Sequence, residues 1–297
     1  MKKIKIVFFG SDPWSIHVLK ALEDNFDVKA VVCAPDSPVA HYFRGSVLTP
    51  EKLDSDFLTS LSRAKSRDDL FVVASYGKII PKSILEIPKY GALNVHPSLL
   101  PKYRGPSPVP ATILNGDKET GVTIMKMDEK MDHGPIVFTK EIKLSGREDL
   151  QELINKLFQL GAEGLVDIIP DFIRGKVKLL EQQHARAIYC PLIKKEDGYF
   201  DISSPPDPEK LDRMIRAYYP WPGVWTRWNN KVVKFLPGVI PTKAGIQLKT
   251  SRSELDSRIR GNDNFFIQME GKKSMGLKDF LNGYPDFPIK SITVDKK

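Results

Sequence analysis

Asn94 and His96 stand two apart at the end of a short apolar run, Ala92-Leu93-Asn94-Val95. On a strand, that spacing sends both side chains to the same face. A carboxamide beside an imidazole can grip one carbonyl: the amide stabilises a developing oxyanion, and the ring moves a proton between a nucleophile and a leaving nitrogen. Asp132, in the segment Met131-Asp132-His133-Gly134, offers a carboxylate that would orient the imidazole and favour its protonated form. The three together suit acyl transfer to an amine, with neither a metal nor a covalent nucleophile. Taken singly, each residue also has an ordinary use as a strand cap, a turn filler or the start of a loop.

Such a trio needs a strand that ends near His96 and a loop that brings Asp132 back to it. Ile4 to Gly10 is a continuous apolar run, followed by helical spacing of Trp14, Val18, Leu19 and Leu22 and a β-rich run from Val28 to Ala34. This predicts a β-α-β unit. Leu70 to Ser75 and Ala92 to Val95 supply further buried strands, with a helix expected over Asp54 to Ala64. The fold class is therefore α/β, an open and mostly parallel Rossmann-like sheet. Ligands collect at the carboxyl ends of strands in such sheets, here the turns after Gly10, Ala74 and Val95. Gly10-Ser11 is not followed by a G-x-G-x-x-G fingerprint, which excludes a nicotinamide enzyme. Val122 to Met127 and Ile136 to Leu144 read as an antiparallel pair bracketing the Asp132 loop. Glu148 to Ile169 has the spacing of a core-facing helix.

The chain has 297 residues, 41% hydrophobic and 28% charged, enough for a large domain and a smaller one. Its net charge of +8 suits a polyanionic partner without demanding one. There are two cysteines; Cys33 lies in a strand-like run and reads as a buried free thiol, so the cytosol is the expected compartment. Met1-Lys2-Lys3-Ile4 mimics a signal-peptide start, but the apolar run stops at Gly10-Ser11-Asp12-Pro13, and no stretch is long enough to span a membrane. Polar and Pro-rich composition predicts a linker over 182–208, between a catalytic domain at 1–181 and a second domain at 209–297. The second domain contains Ile215-Arg216-Ala217-Tyr218-Tyr219-Pro220-Trp221-Pro222-Gly223-Val224-Trp225-Thr226, which is open to three readings: an aromatic cluster, a stacking platform for nucleic acid, or a domain-packing element.

Residues 91–136 resemble the folate-dependent formyltransferases, whose pattern is a strand ending in Asn-x-His, then Ser-Leu-Leu-Pro-x-x-x-Gly, then an Asp-x-Gly loop. The resemblance implies that Asn94, His96 and Asp132 are catalytic and that the formyl donor is 10-formyltetrahydrofolate. It assigns the folate to the turn Tyr76-Gly77-Lys78-Ile79-Ile80 and to Pro97, Ser98, Leu99, Leu100 and Pro101. Lys102, Arg104 and Gly105 would lie beside the acceptor, where the two cations could meet phosphate. Ser11 and Trp14 are grouped there too, with Trp14 at the position near the methionyl side chain. His133 lies outside the motif, and His17, His41 and His184 read as ordinary surface or helix residues.

Lys195-Glu196-Asp197-Gly198, the Pro-Trp-Pro-Gly segment and Glu270-Gly271-Lys272-Lys273-Ser274-Met275 resemble the branch of this family that acts on initiator methionyl-tRNA. That branch implies a small OB-like barrel at the C-terminus, which fits the strand-like pieces Trp225 to Trp228, Lys231 to Leu236 and Phe265 to Met269. The expected partners are this tRNA and folate, with no membrane, and the expected state is a monomer. Two rivals stand beside this reading: formylation of a nucleotide-linked amino sugar with the same trio, and a non-catalytic RNA- or folate-binding relic.

Two stretches depart from the family pattern. The loop over 35–50 is short and has a single arginine, Arg44, where family members carry a long basic loop that enters the tRNA acceptor arm. The stretch 238–264 is additional. Plausible codons for Val239 to Gln247, read on the opposite strand, encode Leu-Asp-Ser-Arg-Phe-Arg-Gly-Asn-Asp, and the chain has Leu255-Asp-Ser-Arg-Ile-Arg-Gly-Asn-Asp263. This relation marks an inverted DNA repeat translated in frame. It is expected to form an exposed, mobile insertion with little part in catalysis, against the alternative of an RNA-binding hairpin built on Arg252, Arg258 and Arg260.

Overall fold

The apolar runs become buried strands. A computed structural model describes residues 3–54, 57, 69–238 and 265–290. β1 (Lys5–Phe9), α1 (Ser15–Asn25) and β2 (Asp27–Val32) form the expected unit, with β1 and β2 parallel. Two short elements follow that the sequence reading did not contain, α2 (Pro38–Tyr42) and β3 (Ser46–Leu48). Ser37 starts α2 by accepting a hydrogen bond from the Ala40 N–H at 3.2 Å, with Pro38 at the first helical position. β3 pairs in parallel with β2. The helix expected over Asp54 to Ala64 lies outside the described residues, except for Asp54 and the buried Phe57.

The chain continues through β4 (Leu70–Val73), α3 (Lys82–Leu85), β5 (Ala92–His96), α4 (Pro108–Leu114), β6 (Glu119–Lys126), β7 (Ile136–Lys143) and α5 (Leu150–Ile173). Among the described residues these strands make one seven-stranded sheet, ordered β3-β2-β1-β4-β5-β6-β7. The first five run parallel, and β6 and β7 are antiparallel to their neighbours. Every residue of β4 is buried, as its unbroken Leu-Phe-Val-Val run requires. α5 lies close against the sheet through two glycines. A Cβ added at Gly161 would come within 2.4 Å of Val95 Cγ1, and one at Gly164 within 2.5 Å of the Phe138 ring. The helix therefore braces β5 directly behind the strand end that bears His96.

The chain divides into two compact units. The first comprises Met1–Thr112, Asp117–Arg147 and Gln151–Leu192. Residues 182–192, read from composition as the start of a linker, thus belong to the first unit. Their backbone is tied to it: the Arg104 N–H donates to the Ile188 carbonyl and the Cys190 N–H to the Arg104 carbonyl, both at 2.8 Å. Polar composition suggested a spacer; instead the Gln182 side chain is used in buried hydrogen bonds, while most of its polar neighbours stay exposed.

The second unit holds α6 (Pro208–Tyr218), β8 (Val224–Trp228), β9 (Lys231–Pro237), β10 (Phe265–Met269), β11 (Met275–Gly276) and α7 (Leu277–Gly283). Its described strands form an antiparallel, barrel-like sheet in the order β11-β10-β9-β8. Phe235, Phe280, Phe287 and Trp228 pack edge-on or tilted in its core. Of the aromatic segment, Tyr218 is buried, Trp225 packs on Tyr199 at 4.8 Å and Trp221 is exposed. The expected insertion lies almost wholly outside the described residues, but its flanks do not: Pro237 and Phe265 are register partners across β9 and β10. Cys33 and Cys190 are both buried free thiols. Among the described residues no helix is long and apolar enough to cross a membrane.

Candidate active site

β5 holds Asn94 and His96 on one face, and the loop between β6 and β7 turns back to meet them. Asp132 Oδ1 lies 3.4 Å from Asn94 Nδ2 and 3.6 Å from His96 Nδ1. Its other oxygen, Oδ2, accepts the Gly105 N–H at 2.7 Å. The His96 ring is buried, and its Nε2 bonds the Tyr103 carbonyl at 2.9 Å. A carbonyl only accepts, so Nε2 carries hydrogen and the ring is oriented with Nδ1 toward the carboxylate. Asn94 and His96 therefore converge on one oxygen atom. Asp132 adopts φ +48°, a left-handed conformation that costs a non-glycine residue free energy, so neighbours must hold it.

The turn at 103–105 touches two of the three residues: the Tyr103 carbonyl meets His96, and the Gly105 N–H meets Asp132. Arg104 is 1% exposed, which corrects the expectation that it meets phosphate. Its Nε and Nη2 donate to Gln182 Oε1 at 3.1 and 2.7 Å, its Nη1 to the Tyr189 hydroxyl at 3.3 Å, and its Nη2 also to His184 Nδ1 at 2.8 Å. A guanidinium only donates, so His184 Nδ1 accepts and the ring is neutral. His184 is exposed, as expected of a surface residue, but its ring is tied to the buried Arg104. It stacks on His133 with ring centroids 4.0 Å apart and 2° between planes, and His133 Nδ1 meets Asp128 Oδ2 at 2.7 Å. Burial first, then the charges of His133 and Arg104, push the His184 pKa down.

Lys102 is paired with Asp117 at 2.8 Å, and the Tyr103 hydroxyl donates to the same carboxylate at 2.8 Å. Burial pulls the Lys102 ammonium down, but the bond and charge of Asp117, with Tyr103, outweigh it and raise its pKa. Of the residues assigned to folate, Pro97, Ser98 and Leu100 are buried in the turn itself. The Ser98 hydroxyl donates to the Lys102 carbonyl at 2.6 Å, and Thr123 bonds the Ser98 carbonyl and the Leu100 N–H. These residues build a rigid support, while Leu99 and Pro101 are partly open.

At the end of β4, Gly77, Lys78 and Ile79 are exposed, with Ile79 at 77%, and Tyr76 and Ile80 are buried. Lys78 Nζ donates to the carbonyls of Pro50 and Glu51 at 2.7 and 3.0 Å, tying this turn to the chain after β3. Burial, then the neighbouring Cys33, pushes the Tyr76 phenol up to about 12. Ser11 and Trp14 gather beside the same edge: the Trp14 indole donates to Ser75 Oγ at 3.2 Å, Ser75 Oγ bonds Asp12, and Ser11 Oγ accepts the Ala34 N–H at 3.0 Å. Arg44 is exposed after α2. A cavity of about 730 Å³ adjoins the Asp132 loop, lined by residues including Leu85, Gly91, Met127, Asp128, His133 and Phe172. Asn94, His96 and Asp132 are not among its lining residues, and neither is the Tyr76–Ile80 turn.

The sequence reading missed Gln182, whose amide touches both Arg104 and the Asp132 loop. One of two adjacent glutamines in a polar stretch, it has no periodicity or motif to single it out. The formyl transferase family model matches residues 4–169, and the formyl transferase C-terminal domain model matches 192–285. The methionyl-tRNA formyltransferase of Caldanaerobacter subterraneus subsp. tengcongensis is 36% identical, over 95% of this chain and 97% of its own. Two solved structures share the fold. A methionyl-tRNA formyltransferase from Clostridium thermocellum has TM-score 0.56 and 20% identity, covering 81% of this chain and 95% of that one. A sugar N-formyltransferase from Shewanella sp FDAARGOS_354 has TM-score 0.65 and 17% identity, covering 81% and 99%.

Proposed function

The chain belongs to the methionyl-tRNA formyltransferase family, and from that membership we propose that Asn94, His96 and Asp132 transfer a formyl group from 10-formyltetrahydrofolate to the amino group of initiator methionyl-tRNA. The observation that supports these roles is the convergence of an amide and an imidazole on a single oxygen, that of Asp132. Two donors aimed at one point can stabilise the negative oxygen that develops when an amine attacks a formyl carbon. The new carbon–nitrogen bond forms at the methionyl amine, the bond from the formyl carbon to the folate nitrogen breaks, and the proton lost by the amine ends on that folate nitrogen. His96 passes the proton and Asp132 holds the ring, and no metal or covalent intermediate is required.

The donor is a substrate, and the strand ends suit its flat ring. Ile79 offers an exposed apolar side chain, and the backbone at Gly77 has open space where a Cβ would stand. Ser11 and Trp14 at the β1 end, with Gly105 in the support turn, are proposed to face the methionyl group. Arg44 is proposed to meet the tRNA, and the enzyme to work as a cytosolic monomer. The test is transfer of labelled formyl from 10-formyltetrahydrofolate to initiator methionyl-tRNA, run beside nucleotide-linked amino sugars and a His96→Ala control. Label on tRNA that disappears in the control is expected. Label on sugars alone would overturn the acceptor, and no transfer to either would overturn the catalytic reading.

A further inference from the structure

Gln182 sits between two partners of opposite hydrogen-bonding type. On one side is Arg104, whose guanidinium only donates; on the other are the carbonyls of Asp132 and Gly134, which only accept. Gln182 Oε1 takes Arg104 Nε and Nη2, and Gln182 Nε2 gives its two hydrogens to the Asp132 carbonyl at 3.0 Å and the Gly134 carbonyl at 2.7 Å. The residue is 5% exposed, so water does not substitute for these partners. Arg104 dictates which way the amide faces, because reversing it would set donors against donors. The amide in turn dictates where the backbone of residues 132–134 lies. Arg104 is itself fixed, since its N–H and carbonyl are bonded to residues 188 and 190.

We infer that Gln182, oriented by Arg104, is a positioning residue for Asp132, holding the loop so that Oδ1 stays within reach of Asn94 and His96. The inference rests on the catalytic roles proposed above. Asp132 needs such a hold because its φ of +48° is disfavoured, and the Gly105 N–H secures only its side chain. A carboxamide of this length is the group that fits. A glutamate would still accept from Arg104 but would place an oxygen against two carbonyls, and an apolar residue would take from Arg104 Nε and from both carbonyls the partner they have in the interior.

The experiment compares steady-state formyl transfer to methionyl-tRNA by the full-length wild type, Gln182→Glu, Asp132→Asn and the double variant. Gln182→Asn, which keeps the amide but draws it back by one methylene, replaces Gln182→Glu if the latter does not fold. The single change at Gln182 is expected to lower kcat by about 10²-fold, the scale of an ångström's misplacement, with the KM for the donor changing far less. In the Asp132→Asn background the same change is expected to cost less than about 3-fold, because a residue that acts through Asp132 has nothing left to position. Losses that multiply in the double variant, or a Gln182 variant with wild-type kcat, would overturn the inference. A wild-type kcat for Asp132→Asn alone would instead overturn the catalytic reading on which it rests.

Discussion

Replacing Asp132 by asparagine removes a charge and keeps the shape. The asparagine Oδ1 can still accept the Gly105 N–H, the 2.7 Å bond that fixes the side chain, so the loop is expected to keep its course. Its Nδ2 then faces Asn94 Nδ2 and His96 Nδ1, replacing an acceptor with a donor. Coulomb's law at the observed 3.6 Å, with an effective dielectric of about 20, gives the carboxylate and a protonated ring roughly 5 kcal/mol of attraction. At 1.36 kcal/mol per decade of rate, the ceiling on the loss is about 10³–10⁴-fold, and solvent screening of the carboxylate, whose side chain is 13% exposed, brings the expected fall in kcat to about 10²–10³-fold. Folate affinity is expected to stay within about 3-fold, since the charge matters for the reacting state and not for holding the ring. The assay is single-turnover transfer of labelled formyl at saturating donor and tRNA, with donor affinity measured separately by equilibrium dialysis. A rate equal to wild type, or a loss that lies wholly in donor affinity, would refute the role assigned to Asp132.

Three further outcomes are expected. Gly105 has φ +113°, and a Cβ there would lie 2.4 Å from the Cys190 carbonyl oxygen, so Gly105→Ala is expected to destabilise the first unit by about 2–4 kcal/mol in denaturant unfolding; a change below about 0.5 kcal/mol would contradict the fit described for this turn. His184 has a folded pKa below its ordinary 6.5 because burial, His133 and Arg104 disfavour its charge, so as pH falls the unfolded chain takes the proton first. The stability it contributes is complete above about pH 6.5 and lost as pH drops through the lowered value; the acid slope of unfolding should therefore flatten in His184→Gln, and an unchanged slope would count against the Arg104 bond. Deleting residues 239–263 should leave soluble enzyme with near wild-type transfer activity, because the strands on either side already pair at Pro237 and Phe265; loss of soluble or active protein would show that the segment is needed.

The fold was legible where burial leaves a one-dimensional mark. Continuous apolar runs such as Leu70 to Val73 announce strands covered on both faces, and the two-residue spacing of Asn94 and His96 fixes their common face without any knowledge of what they meet. The short elements α2 and β3 left no such mark: α2 rests on one cap and one proline, and β3 on pairing with a strand fourteen or more residues earlier. The site divides in the same way. Asn94 and His96 are near neighbours in the chain, and Asp132 was found through a motif that spans the intervening turn.

The scaffold behind them was decided by tertiary structure alone. Arg104 and Gln182 are 78 residues apart, and Arg104 and His184 are 80 apart. Read along the chain, a cation in a turn and polar residues in a linker belong in water, because burying any of them singly costs several kcal/mol. Only the folded chain brings a donor-only guanidinium, a carboxamide and two loop carbonyls into one dry place where each satisfies the next. The sequence by itself placed Asn94 and His96, the side chains proposed to react, on one face of one strand. Where the carboxylate stands relative to them was set by hydrogen-bond partners that no local pattern encodes.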